Sequence, residues 1–303
     1  THGTDEQKEL LRPLFSNEHI WCQMFSEPGA GSDVASLAMR AERDGDEWIL
    51  NGQKVWTTLA HVSSYGLVIA RTDPDLPKHR GITAFIVDMH APGVEVRPLR
   101  QMTGEAEFNE VYLTDVRIPD SMRLDDVGRG WAVSITTLMN ERVSIGGGTP
   151  PRGAGPIGQL IEVWQAAEHK DPVMRDKVTH LWLQAEVNRL TNIRAAQLRT
   201  AGTPGPEGSV AKLAMAELNK RIYSLALDIM GPKGMLYESY DFNRPKHALF
   251  SDDMFKNFLR ARANSIEGGT SEVLKNIIGE RVLGLPGDVR VDKDAAWKDV
   301  PRS

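Results

Sequence analysis

Two short segments near the start of the chain carry residue types that suit a polar, flat ligand. Phe25-Ser26-Glu27-Pro28-Gly29-Ala30-Gly31-Ser32-Asp33 combines Pro-Gly with Gly-Ser-Asp turn chemistry, which exposes backbone N–H groups where a polar ligand can approach. Asn51-Gly52-Gln53-Lys54-Val55-Trp56-Thr57-Thr58 places a Trp beside two hydroxyls at a strand end, a wall for a planar ring system. Each segment alone reads more readily as a turn of purely structural purpose. Near the other end, Gly268-Gly269 allows a backbone to come close to a ligand, and Thr270 with Glu272 reads as a helix N-cap with first-turn acidity.

These residues need a scaffold, and the pattern around them supplies two kinds. From 19 to 125 the chain reads as short, partly alternating strands at 38–43, 48–57, 64–71, 82–87, 94–98 and 110–118. Gly/Asp/Pro turns such as Asp44-Gly45-Asp46 and Ala91-Pro92-Gly93 separate them. Many short strands at close spacing predict an antiparallel β-sandwich or barrel. From 126 to 286 the period becomes helical. Trp131, Ile135, Leu138 and Met139 recur at three and four, and long helices follow at about 171–199, 209–230, 252–263 and 271–282. Short joins, with a loop at 204–208, predict a C-terminal antiparallel bundle, so the fold class is α+β. Pro150-Pro151 and Gly153-Ala154-Gly155-Pro156 must stop or kink the helix that starts near Gly130. Residues 287–303 read as a loose polar tail.

Composition fits this division. The 303 residues are enough for two domains, with 41% apolar and 25% charged residues, near the globular average. A net charge of −5 without a basic run argues against a nucleic-acid surface. The one cysteine, Cys22, excludes an intrachain disulfide, suits a reducing compartment and reads as a small buried strand residue. No apolar run is long enough to span a bilayer, and no metal site is expected.

The two opening segments, in this order and wording, closely resemble the flavin-binding β-domain of the acyl-CoA dehydrogenases. Further motifs extend the resemblance over almost the whole chain: Gly81 to Asp88, Phe108 to Pro119, Asn140-Glu141-Arg142, Ile266 to Glu272, and Glu280 to Leu285. The resemblance implies FAD as cofactor, an acyl-CoA substrate, and electron-transfer flavoprotein or a similar acceptor. It also implies a homodimer, homotetramer or heterotetramer in the cytoplasm, or in the mitochondrial matrix if the source is eukaryotic. Residues 1–18 would be the remnant of an N-terminal helical domain, with a last helix at 5–14.

The family reaction takes a proton from Cα with a carboxylate while the flavin takes hydride from Cβ. Two carboxylates compete for the role of base. Many relatives carry a Glu in an Ile-Tyr-Glu-Gly-Thr-Ser pattern; alignment on Gly-Thr-Ser puts Gly268 at that position and Glu267 one residue early. A branch that includes isovaleryl-CoA dehydrogenase uses a helix Glu in a Glu-Arg pair, which Glu141-Arg142 matches. Glu141 therefore ranks ahead of Glu267, although a Glu-Arg dipeptide is also an ordinary solvated charge pair. Arg142, Ser32 and Gly268 would meet substrate, with a backbone N–H near 267–268 polarising the thioester carbonyl. Gln23, Phe25, Ser26, Gly31, Ser32, Trp56, Thr58, Gly231, Thr270 and Glu272 would meet the cofactor. The family's Arg-x-x-Phe-Gly run has no counterpart between Gly155 and Asp171. Its Gln-x-x-Gly-Gly-x-Gly stretch reads Asp228-Ile229-Met230-Gly231-Pro232-Lys233-Gly234. These departures favour one alternative, a non-catalytic partner subunit of a hetero-oligomeric dehydrogenase; a second, an acyl-CoA oxidase, differs mainly in whether dioxygen reaches the reduced flavin. The Pro/Gly interruption after Glu141 suggests a bulky or branched acyl group.

Overall fold

A computed structural model of the chain describes residues 1–146, 148–198, 207–237, 239, 241–245 and 253–301. The chain divides into two units, one comprising residues 1–135, 241–249 and 289–303, the other residues 136–240 and 250–288. Among the described residues, no helix is long and apolar enough to cross a membrane.

The first unit begins with two short helices, α1 (Asp5–Glu9) and α2 (Arg12–Phe15), where the sequence predicts one over 5–14. Pro13 explains the break, because its ring collides with the carbonyl four residues back and offers no N–H. A capping box closes α1: Gln7 N–H donates to Thr4, and the Gln7 side chain accepts from the Thr4 N–H. The same Gln7 amide donates to the Ser121 and Arg123 carbonyls, tying α1 to the sheet.

Among the described residues, eight strands form one sheet: β1 (Trp21–Met24), β2 (Arg40–Asp44), β3 (Glu47–Thr58), β4 (Tyr65–Arg71), β5 (Ile82–Asp88), β6 (Val94–Pro98), β7 (Phe108–Pro119) and β8 (Arg123–Leu124). The order is β6-β7-β3-β2-β4-β5-β8, with β1 beside β4. Most pairings are antiparallel, but β1 and β2 each meet β4 in parallel, so the sheet is mixed. Its core holds Met24, Met39, Trp48, Leu50, Val68, Phe85, Val111 and Ile118. Alternation along β3 puts Trp48, Leu50 and Lys54 on the buried face; the first two are the usual occupants, and Lys54 is not.

Over residues 287–301 the tail is tied down at several points. Ala296 bridges Pro77, Trp297 N–H donates to the Leu76 carbonyl, and the Trp297 indole N–H donates to the Ser36 carbonyl. Lys78 joins Asp33 and Asp292 at 2.8 Å each. Residues 241–245 also belong to this unit, with Asn243 bonded to Gly104 and Ala106.

The second unit is helical. α3 (Gly130–Gly146) ends at the glycines, and α4 (Pro156–Ala166) starts after the Pro/Gly run, as proline chemistry requires. α5 (Pro172–Leu198), α6 (Glu207–Met230), α7 (Met254–Ala261) and α8 (Ser271–Arg281) follow. α6 is central: it packs against α4, α5, α7 and α8. Leu160, Leu181, Leu218, Ile222, Ala226 and Ala261 form the shared core. Most of the loop expected at 204–208 lies outside the described residues.

Candidate active site

On the β-sheet unit the two opening segments lie side by side. Gln23 is half-buried on β1, opposite Leu67 of β4. The chain then turns through Phe25 to Ser32. Val55 N–H donates to the Ser26 carbonyl at 2.9 Å, which joins this turn to β3. Glu27 makes the turn rigid: its carboxylate accepts from the Ala38 and Met39 N–H groups and from the Lys54 ammonium at 2.8 Å. Lys54 also donates to the Phe25 carbonyl. Lys54 is 0% exposed; burial pushes its pKa down, while the Glu27 carboxylate opposes that fall. A buried pair of this kind needs further hydrogen bonds to offset desolvation, and Glu27 has them in the two backbone donors.

The outer side of the turn is bare. Pro28, Gly29, Gly31 and Ser32 are exposed, and a Cβ built on Gly29 or Gly31 meets nothing within 4 Å. A cleft of about 270 Å³ opens beside it, lined by Pro28, Gly29, Ala30, Ser36, Met39 and Gly52. Phe25 is 3% exposed, so its ring is core and only its backbone is near the turn surface. Ser26 is half-buried.

Trp56 shows why β3 is unusual here. The β3–β7 register shifts between Lys54 and Thr57, and Trp56 within that bulge has φ +58°. A bulky residue in the left-handed region costs about 1–2 kcal/mol. The inversion turns Trp56 outward, 59% exposed, with Phe108 edge-on at 5.9 Å. Thr58 is exposed two residues on. Such an outward aromatic has the shape and exposure that a flat ring could stack on.

On the helical unit, Glu141 and Arg142 are half-buried on α3. The Arg142 Nε is buried without a hydrogen-bond partner among the described residues. Burial pushes the Arg142 pKa down, as does Arg281 of α8, while Glu141 opposes them. Gly268 faces this carboxylate. It has φ +60°, and a Cβ added there would meet Ile145 Cδ1 at 2.9 Å and Glu141 Oε1 at 3.5 Å. Only glycine satisfies both the backbone and the space.

Glu267 points elsewhere. Its carboxylate takes both arms of the Arg260 guanidinium, at 3.0 and 2.8 Å, and the Asn264 amide at 2.8 Å. Its own N–H donates to the Ala263 carbonyl at 2.9 Å. The Gly268 N–H makes no hydrogen bond among the described residues, so of the two it is the one free to polarise a carbonyl. Thr270 caps α8, accepting from Val273 N–H at 3.2 Å, and Glu272 is exposed in the first turn. Gly231 is exposed, with φ +58°, at the start of a 3-10 turn after α6.

Sequence reasoning missed three supports: Glu27 with Lys54, Arg260 under Glu267, and Lys212 of α6, which is 0% exposed. Strand alternation in β3 could have found Lys54. Lys212 falls in register with buried Ala216 and Tyr223 on one helix stripe, a comparable signal.

Residues 22–116 match the family model for the acyl-CoA dehydrogenase middle domain, and residues 128–283 that for its C-terminal domain. The chain is 42% identical over 287 residues to acyl-CoA dehydrogenase FadE34 of Mycobacterium tuberculosis, covering 94% of this chain and 38% of that protein. It is 37% identical to acyl-CoA dehydrogenase IpdE1 of the same organism, covering 95% of this chain and 73% of the relative. Among solved structures, the ChsE4–ChsE5 complex of M. tuberculosis aligns with a TM-score of 0.80 at 30% identity, over 95% of this chain and 74% of the matched chain.

Proposed function

The chain belongs to the acyl-CoA dehydrogenase family, and on that premise we propose that it oxidises an acyl-CoA thioester between Cα and Cβ, with Glu141 as the base. One observation carries the assignment of the base: glycine at 268 leaves room beside Glu141 Oε1, while the neighbouring Glu267 carboxylate is bound to Arg260 and Asn264.

The residues fit FAD. The bare backbone at Gly29 and Gly31, the exposed Ser32, and the outward Trp56 with Thr58 would hold it on the β-sheet unit, with Gln23, Ser26 and the Phe25 backbone behind. Gly231, Thr270 and Glu272 would contribute from the helical unit of a second subunit. When bound, FAD supplies the acceptor for a hydride from Cβ. This chain's residues supply the rest. Glu141 takes the α-proton onto a carboxylate oxygen, and Arg142 holds that carboxylate. The Gly268 N–H donates to the thioester oxygen as negative charge develops there. The interruption between α3 and α4 shapes the acyl end and suits a bulky or branched chain. Electron-transfer flavoprotein, or an acceptor like it, would reoxidise the cofactor.

A second reading is a partner subunit of a hetero-oligomer. The match to one member of a two-protein complex supports it, as does the missing Arg-x-x-Phe-Gly run. One experiment separates the readings: purify the protein alone, add FAD, and mix anaerobically with acyl-CoA thioesters of straight and branched chains. The catalytic reading expects a yellow protein whose visible absorbance bleaches. A protein that stays colourless with excess FAD, or that bleaches only with a second chain supplying the base, favours the partner reading. Rapid peroxide formation in air would identify an oxidase.

A further inference from the structure

Lys212 has no part in the mechanism above, yet it is a lysine buried to 0% exposure beneath the loop that carries Gly268. Its ammonium donates to the Asn264 carbonyl at 2.7 Å and to the Gly269 carbonyl at 2.7 Å, on either side of the loop's central residues. Its Cε lies 3.6 Å from the place a Cβ on Gly268 would occupy, and Glu141 Oε1 lies 3.5 Å from that same place. The loop between the two clamped carbonyls ends in two successive glycines at φ +60° and +94°, a backbone that does not hold its shape by local preference.

We propose that Lys212 is a positioning residue for the reaction. Its ammonium pins the 264–269 loop so that the Gly268 N–H and the Glu141 carboxylate keep their relative places, and its charge favours the ionised form of Glu141. The proposal rests on the reading of Glu141 as base. Every charged group around the site bears on it. Glu141 and Arg142 approach Lys212 from α3, Glu217 from α6 and Glu267 from the loop; Arg281 of α8 acts on Arg142. Burial pulls the Lys212 pKa down, and the three carboxylates oppose that pull. Among the described residues the hydrogen bonds of the Lys212 ammonium go to two backbone carbonyls, those of Asn264 and Gly269.

Two substitutions separate the clamp from the charge. Lys212→Met keeps the length and removes both the donors and the charge. Lys212→Gln removes the charge but keeps N–H donors, on a side chain one bond shorter. Hydrogen exchange of the 264–270 backbone, in protein loaded with FAD, reads the clamp. The pH midpoint of anaerobic bleaching by octanoyl-CoA or 3-methylbutanoyl-CoA, whichever reacts faster, reads the charge. Losing a nearby cation raises a carboxylate pKa, so the midpoint of the rising limb should move up by about one unit in both variants. Exchange of the loop should quicken at least tenfold in Lys212→Met and less in Lys212→Gln. Should Lys212→Met fail to fold, Lys212→Gln still reports the midpoint. A core filler would lower yield or stability without moving the midpoint, so an unmoved midpoint in Lys212→Gln overturns the proposal. Glu141→Gln serves as the control. If it bleaches like the wild type, the reading of the base has failed, whatever Lys212 does. If it is inactive while Lys212→Gln keeps the wild-type midpoint, the base stands and the role given to Lys212 falls.

Discussion

The turn at 25–39 and the loop at 264–269 solve one problem in two ways. Both present glycine backbone, both contain a glutamate, and both rest on a fully buried lysine. In the first, Lys54 meets Glu27 directly at 2.8 Å, and two backbone N–H groups complete the carboxylate. In the second, Lys212 holds only carbonyls, and Glu267 turns away to Arg260. In each motif the glutamate is tied up by its own partners, Lys54 for Glu27 and Arg260 with Asn264 for Glu267. Under the proposed function the chemistry falls to groups from other elements, Trp56 of β3 beside the first and Glu141 of α3 beside the second.

The largest expected effect tests that contrast at its base. Lys54→Met strands Glu27 in the core without its cation, which costs about 3–5 kcal/mol of stability. Lys212→Met strands no carboxylate and should cost clearly less. Denaturant midpoints of the two variants check this; equal losses would break the comparison. A smaller effect comes from Glu267→Gln, which weakens a bidentate pair that is about a quarter to a third exposed. It should cost about 1 kcal/mol and leave flavin bleaching within a few-fold of wild type. A loss of bleaching there would return the base to the loop.

The smallest effect lies outside both loops and serves as their reference. Asp120 accepts from Arg123 and from the Trp48 indole, which hold its carboxyl down at about 2, against an ordinary value of 3.8. A depressed carboxyl stabilises the fold above its unfolded value, and that contribution is lost as pH falls through the folded value. Asp120→Asn should therefore destabilise by about 0.5–1 kcal/mol at neutral pH, and the difference should shrink as pH falls from about 4 toward 2. A difference that persists at pH 2 would mean shape, not charge, is responsible.

Much of the scaffold was legible because its determinants are local. Turn residues bound the strands of the sheet, and Pro150 to Pro156 separates α3 from α4 where proline must. What was not legible depends on distant partners. The parallel pairing of β1 with β4 joins Trp21 to Tyr65, and nothing near either residue announces it. The polar tail reads as loose until Trp297 is seen on the Ser36 carbonyl and over Arg71 at 4.7 Å. At the candidate site, the sequence indicated the types of residue but not their aim. Glu267 and Glu141 compete as bases in the sequence, and the sequence does not announce that Arg260, seven residues upstream of Glu267, pairs with it. The inversion at Trp56 arises from a register shift against β7, which no single-strand pattern encodes.

The most direct test of the central claim compares Glu141→Gln with Glu267→Gln in parallel preparations, using anaerobic bleaching of bound FAD by an acyl-CoA thioester. Both variants should fold and bind FAD. Glu141→Gln should lose about two to four orders of magnitude in the bleaching rate, the usual worth of a positioned general base, while Glu267→Gln stays within a few-fold of wild type. The opposite pattern, with Glu267→Gln silent and Glu141→Gln reduced only a few-fold, would contradict the account and make the loop glutamate the base.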